Sequence, residues 1–187
     1  MSDPYCYAGT DVLRNLRNIQ DAKELAAFER TLTASRLEAL PDDFPITPEG
    51  YRAIHRYIFA DLYDWAGEYR IVDIARAESL FCLVPYIAQE LAKRFKTIQS
   101  ENNLRGLNAE DFAARAAEHM IELNAIHPFR EGNGRTLRAF LFVLARQAGH
   151  DIKMERIDAV PWNEASRLSF RTGDSRAMRN IIANAIQ

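Results

Sequence analysis

Cysteine is nearly missing from the chain: Cys6 and Cys82 are the only two in 187 residues. Two thiols make no disulfide framework, and neither stands at a metal-ligand spacing. Long hydrophobic runs are missing too, with no stretch near the ~18 residues that a membrane span needs. The first ten residues, Met1 to Thr10, are polar and lack the apolar segment of a signal peptide. The cytoplasm is therefore the expected compartment, and export without a cleaved signal stays compatible. Charge of one sign is also scarce. The net charge of −2 excludes a polyanion-binding surface read from totals, so any basic site must be local. Lys93, Arg94 and Lys96 are too small a cluster to argue for nucleic acid. Repeats and low-complexity segments are absent.

What remains is ordinary globular composition, 48% hydrophobic and 27% charged, in a length that suits one domain over residues 1–187. From Asp21 to Leu40 the residues Leu25, Phe28, Leu32 and Leu37 recur at helical spacing until Pro41. Thr47-Pro48-Glu49 reads as an N-cap with proline at the first helical position. The helix it opens carries Tyr51, Ile54, Tyr57, Ile58 and Leu62 on one face, and Trp65-Ala66-Gly67 should close it. Tyr69, Ile71, Val72 and Ile74, then Leu80 to Val84, are two β-favouring runs around a turn-like Ala75–Ser79, the pattern of a hairpin. Helical periodicity returns from Pro85 to Ser100. It returns again from the N-cap Asn108 to Ile126, where Pro128 biases His127 away from helical angles. Another helix is expected over Asn133–Ala148, stopped by Gly149. Two shorter ones follow near Pro161–Ser169 and Asp174–Ala185. The predicted fold is mainly α, a helical bundle with a small β-hairpin flap at about 71–84 and a core at about 48–150.

The segment with specific chemistry runs from His127 to Arg138, His-Pro-Phe-Arg-Glu-Gly-Asn-Gly-Arg-Thr-Leu-Arg. It reads as a loop followed by a helix start. Gly132 and Gly134 let the backbone approach a ligand, and the free N–H groups of a helix N-terminus form an anion site. Arg135 and Arg138, three apart, can converge on phosphates. Glu131 beside phosphates makes sense as a Mg²⁺ ligand, and His127 can take a proton near neutral pH.

This segment resembles the Fic signature, H-x-F-x-(D/E)-G-N-G-R-x-x-R, at every fixed position. The likeness extends to Tyr7-Ala8-Gly9-Thr10-Asp11-Val12-Leu13 with Asn15, to Asp64-Trp65-Ala66-Gly67, and to Val72-Asp73-Ile74. These look similar to bacterial Fic toxins and to the Fic domains of Bartonella effectors. The resemblance implies transfer of AMP from ATP to a Ser, Thr or Tyr hydroxyl of a target protein. It implies His127 as base, Phe129 as the anchor of the loop, and Glu131 as the Mg²⁺ ligand. Gly132, Asn133 and Gly134 would form the anion hole, with Arg135 and Arg138 on the outer phosphates. Val72, Asp73 and Ile74 would belong to a flap that docks an extended target segment by strand addition.

The implied target of such toxins is the ATPase subunit of DNA gyrase (gyrase B) or topoisomerase IV. Doc-like relatives transfer the γ-phosphoryl group and carry lysine where this chain has Gly134; others transfer UMP or phosphocholine. A nucleotide-sensing binding module is the non-enzymatic alternative. Relatives are commonly silenced by a helix bearing (S/T)-x-x-x-E-(G/N), whose glutamate pairs with the second motif arginine, here Arg138. Thr97–Asn102 matches that pattern between flap and motif, where such helices are not expected, and Asp174–Gln187 has no glutamate. A separate small antitoxin protein is therefore the expected inhibitor. Away from the motif, His55, His119 and His150 read as surface or satisfied core residues, Trp65 as core, Arg130 as solvated, and Arg115, Glu118 and Glu122 as exposed helical charges.

Overall fold

The computed structural model describes residues 3–76 and 79–186. Seven α-helices account for most of it. Helix α1, Ala22–Glu38, starts where the Asp21 carboxylate accepts from the Lys23 and Glu24 amides at 3.0 and 2.8 Å. Helix α2, Pro48–Phe59, starts where Thr47 Oγ1 accepts from Gly50 N at 3.1 Å. Each cap satisfies amides that a first turn leaves without acceptors. A single 3₁₀ turn, Val84–Tyr86, leads into α3, Ile87–Ser100. Asn108 Oδ1 accepts from Asp111 N at 2.9 Å and opens α4, Ala109–Ile126. Helix α5 spans Asn133–Ala148 and ends at Gly149, whose φ of 94° suits glycine. Helices α6, Ala159–Thr172, and α7, Arg176–Ala185, finish the bundle.

Helices α4 and α5 form the centre. Helix α4 packs against α3, α5, α6 and α7, while α2 lies across α5 and α1 across α2. Their facing sides bury Met120, Leu123, Leu137, Phe140 and Leu144 completely or nearly so. An aromatic cluster fills the space between α2, α3 and α5. Tyr51 meets the Phe140 and Phe129 rings at 5.4 and 5.6 Å, and Phe95 meets Phe140 at 5.3 Å. Phe129, from the motif loop, is fully buried there. Among the described residues no helix is long and apolar enough to cross a membrane.

Three expectations need correction. Helix α2 stops at Phe59, before Trp65-Ala66-Gly67; the chain then turns through residues 60–67 and still buries Leu62, Tyr63 and Ala66 in the same core. The apolar pattern therefore outlasts the helix. Helix α6 is longer than Pro161–Ser169, because Asp158 caps Val160 N at 2.9 Å. In the flap, regular pairing is confined to β1, Ala75–Arg76, against β2, Ser79–Leu80, antiparallel with Ala75 opposite Leu80. The expected strand over Tyr69–Ile74 does not form, and of the expected Leu80–Val84 only Leu80 is in a strand. Ala77 and Glu78, within the expected flap, lie outside the described residues.

Candidate active site

The site is built at the junction of two helices. His127 ends α4 in the left-handed region, φ 49° and ψ 61°, with its amide still donating to Leu123 O. Pro128, which has no N–H and disfavours a helical predecessor, enforces the break. The His127 Nδ1 atom lies 3.1 Å from Asn124 O. A carbonyl only accepts, so Nδ1 carries the proton and Nε2 holds the lone pair, as a base requires. The Phe81 ring stacks on the imidazole at 3.9 Å and 15°, and Phe170 meets Phe81 edge-on at 5.5 Å. One face of the histidine is thereby fixed from the flap side.

The loop that follows is fastened from within. Asn133 Oδ1 accepts from Phe129 N at 3.0 Å while its Nδ2 donates to Phe129 O at 2.7 Å. Its side chain thus holds the loop closed, and only its backbone is left for an anion. Gly132 has φ 80°, and a Cβ there would stand 2.3 Å from Phe59 Cζ, so glycine is required twice over. Gly134 differs. It is helical, and a Cβ on it would meet nothing within 4 Å. Neither packing nor backbone angle demands a glycine that costs the helix about 1 kcal/mol against alanine.

His55 was not singled out by sequence, yet it supports this loop. Its Nδ1 accepts from Gly67 N at 2.8 Å, which leaves Nε2–H to donate to Glu131 O at 3.0 Å. Its ring stacks on Phe129 at 3.9 Å. Complete burial pushes its pKa down to about 3, so the ring is neutral. Arg70 is a second unforeseen support. Its buried guanidinium donates to His127 O at 2.9 Å, to Val72 O at 2.8 Å, to Ile126 O at 3.4 Å and to Cys82 O. Both stems of the flap and the end of α4 thus share one cation.

The charges divide unevenly. Glu131 Oε1 accepts from Gly132 N at 2.8 Å and lies 3.4 Å from Arg135 Nη2. Arg135 pairs with Glu29, donates to Thr33 Oγ1 at 3.2 Å and stands 4.8 Å over the Phe59 ring, so its guanidinium is bonded to α1. Arg138 has no hydrogen bond or ion pair with any described residue. Burial first, and then neighbouring Arg135, pull its pKa below the usual guanidinium range. Arg130 is not simply solvated, since it pairs with Asp3 at 2.7 Å.

In the flap, Ile74 O accepts from Phe81 N at 3.3 Å, and the Asp73 carboxylate accepts from Val84 N at 2.8 Å. Asp73 therefore braces the two stems through its side chain. His127, Glu131, Gly132, Asn133, Gly134, Arg135 and Arg138 line one cavity of about 1070 Å³ together with Ile74. Val72 and Asp73 stand outside that lining. The opposite wall comes from α6, through Trp162, Asn163, Ser166, Arg167, Phe170 and Arg171. Sequence reasoning missed this wall, because its residues carry no motif.

The remaining candidates fall elsewhere. Glu101, in the internal match to the inhibitory pattern, pairs with Arg115 and accepts from His119 at 2.9 Å, so it is held at the α3–α4 contact. Arg115 and Glu118 do pair one turn apart, and Glu122 reaches Arg94 of α3 at 3.0 Å. His119 is fully buried and His150 packs against Phe112 at 4.5 Å; neither lines the cavity.

This bundle, with its αL histidine between helices and its glycine loop opening α5, has the architecture of a known family. The Fic/DOC family matches residues 45–145, more than half of the sequence, and the chain belongs to that family. It is 43% identical to a probable protein adenylyltransferase, y4lH, of Sinorhizobium fredii, over 93% of this chain and 91% of that one. It is 36% identical to the probable protein adenylyltransferase Fic of Escherichia coli, over 98% and 92% of the two chains. Protein adenylyltransferase VbhT of Bartonella schoenbuchensis is 38% identical over 97% of this chain, which spans 38% of that larger protein. Among solved structures, the Bartonella tribocorum effector BepC with bound AMPPNP superimposes with a TM-score of 0.89 at 26% identity, covering 98% and 96% of the chains. An ADP-bound Fic domain from Bartonella quintana gives a TM-score of 0.90 at 26% identity, covering 98% of this chain and 94% of that one.

Proposed function

We propose that the chain is a protein adenylyltransferase that moves AMP from ATP onto a Ser, Thr or Tyr hydroxyl of another protein. The observation that carries this reading is that His127, protonated on Nδ1, and the open N-terminus of α5 line the same cavity. The target hydroxyl attacks the α-phosphorus, the bond to the β-phosphate oxygen breaks, and pyrophosphate leaves. His127 Nε2 takes the hydroxyl proton. The amides of Asn133, Gly134 and Arg135, which have no acceptor in a first helical turn, face the phosphates. Arg138, with Arg135 on the neighbouring ridge, supplies positive charge against the outer phosphates.

The donor set accommodates a divalent cation through one carboxylate. Among the described residues Glu131 is the sole carboxylate on the cavity wall, and no cluster of three His, Cys, Asp or Glu occurs. That set suits Mg²⁺, which takes one or two protein carboxylates and completes its octahedron with phosphate oxygens and water. When bound, Mg²⁺ would neutralise charge on the α- and β-phosphates, with Glu131 as its protein ligand.

An extended segment of the target docks along the flap at Val72, Asp73 and Ile74, by strand addition. The family resemblance supports the ATPase subunit of gyrase or topoisomerase IV as target, in the cytoplasm. It also supports a small antitoxin protein whose glutamate meets Arg138. The engagement of Glu101 by Arg115 and His119, at the α3–α4 contact, favours an inhibitor supplied in trans.

ATP labelled at the α- or the γ-phosphate, incubated with the chain in cell lysate, tests the reading. Label is expected on protein from the α position only, and His127→Ala should reduce it by at least ~10²-fold while ATP binding persists. Retention from the γ position would replace AMP transfer with phosphoryl transfer. No transfer at all would leave nucleotide binding alone.

A further inference from the structure

Helix α1 lies outside the matched family segment, yet through Glu29 and Thr33 it holds Arg135, a residue of the cavity wall. Glu29 has both carboxylate oxygens engaged: Oε1 by Arg135 Nη2, and Oε2 by the Tyr63 hydroxyl. It is 13% exposed. Thr33, one turn further, accepts from Arg135 Nη1, and the Phe59 ring lies beneath the guanidinium. Three groups, Glu29, Thr33 and the Phe59 ring, thus hold Arg135 in one pose. From that pose Nη2 makes a single long contact, 3.4 Å, with Glu131 Oε1, which also accepts from Gly132 N. Among the described residues the hydrogen bonds and ion pair of the Glu131 carboxylate all fall on Oε1, so Oε2 keeps its capacity for a ligand.

We infer that Glu29 is a positioning residue, which acts from α1 through Arg135 to keep one oxygen of the Glu131 carboxylate available to a divalent cation. The inference rests on the adenylyltransferase reading for the identity of that cation. Its physical basis is competition for a fork. A guanidinium fork within reach of a carboxylate can close on both of its oxygens. Glu29 and Thr33 occupy the fork of Arg135 instead, so Glu131 is oriented without being consumed. The alternative is that Glu29 acts as a brake, withholding Arg135 from phosphate. The two readings differ in sign.

The experiment uses the full chain with a non-hydrolysable ATP analogue, and Mn²⁺ as the probe, with bound metal read by paramagnetic resonance. Wild type, Glu29→Gln and Thr33→Val are compared. Removing a group that orients a ligand typically weakens metal binding by about 10–100-fold, and Glu29→Gln should fall in that range. Thr33→Val, which leaves the ion pair intact, should move in the same direction by less, and carries the test if Glu29→Gln does not fold. Metal-free affinity for the analogue should not change. Tighter nucleotide binding or faster turnover in Glu29→Gln would make the residue a brake and overturn the inference, as would unaltered Mn²⁺ affinity. Wild type that shows no AMP transfer while the Mn²⁺ shift appears would defeat the proposed function and leave the positioning role standing.

Discussion

Acid should open the motif loop from behind, through His55. The imidazole is fully buried between Phe129 and Phe59 and accepts the Gly67 amide on Nδ1 at 2.8 Å. Protonation would place a second hydrogen against that amide, at a side chain closed off from solvent. Burial is the largest cause of its depressed pKa; the bond to Glu131 O works the other way, and Arg135 and Arg56 add repulsion. The folded value is about 3 against an ordinary 6.5. Below pH 6.5 the unfolded chain therefore binds a proton that the folded chain refuses. The stability this group contributes is complete above pH 6.5 and is lost as pH falls, at about 1.4 kcal/mol per unit. Between pH 7.5 and pH 5 the loss comes to about 2 kcal/mol, a large share of the ~5–15 kcal/mol that holds a domain together. Urea denaturation at a series of pH values measures it, with His55→Gln as the control. Glutamine can accept from Gly67 and donate to Glu131 but does not titrate. His119, buried and shifted in the same direction, contributes equally to both chains and cancels in the difference. An identical loss in wild type and His55→Gln would refute the reasoning.

Two further outcomes follow from the loop's supports. Gly132→Ala combines a left-handed backbone with a Cβ 2.3 Å from Phe59 Cζ. The expected cost is about 2–5 kcal/mol, the sum of the αL penalty and overpacking, read as a lower urea midpoint. Arg70→Gln removes the shared donor of four carbonyls, one buried and three half-buried. It should cost about 3 kcal/mol or more by the same assay, since each unpaired buried acceptor costs roughly 1–3.

Local chemistry was legible in the sequence wherever a short-range rule decides the outcome. Thr47 and Asn108 cap their helices as residue type and spacing imply, and Pro128 takes His127 out of helical angles. The twelve-residue motif located the cavity floor because its residues are contiguous. Illegible were the outcomes set by distant partners. Helix α2 ends early because its C-terminal neighbours find core contacts through turns. The run from Tyr69 to Ile74 stays irregular, with the Val72 carbonyl satisfied by Arg70 and Ile71 N donating to the Tyr5 hydroxyl. Arg135 meets Glu29 and Arg130 meets Asp3 across more than a hundred residues of chain, which no window of sequence displays. The α6 wall was missed for a related reason: Asn163, Ser166 and Phe170 form a stripe whose significance depends on what stands opposite.

The two motif glycines answer to different masters. Gly132 is held by the protein's own interior, by the Phe59 ring and a left-handed backbone. Gly134 has open space where a side chain would go. Selection for folding alone would police the first position and ignore the second, since the helix would gain from almost any other residue there. A family that diversifies its chemistry can therefore do so at 134 at no cost to its core. That position works as a tuning dial outside the reach of quality control, while 132 is locked with the fold.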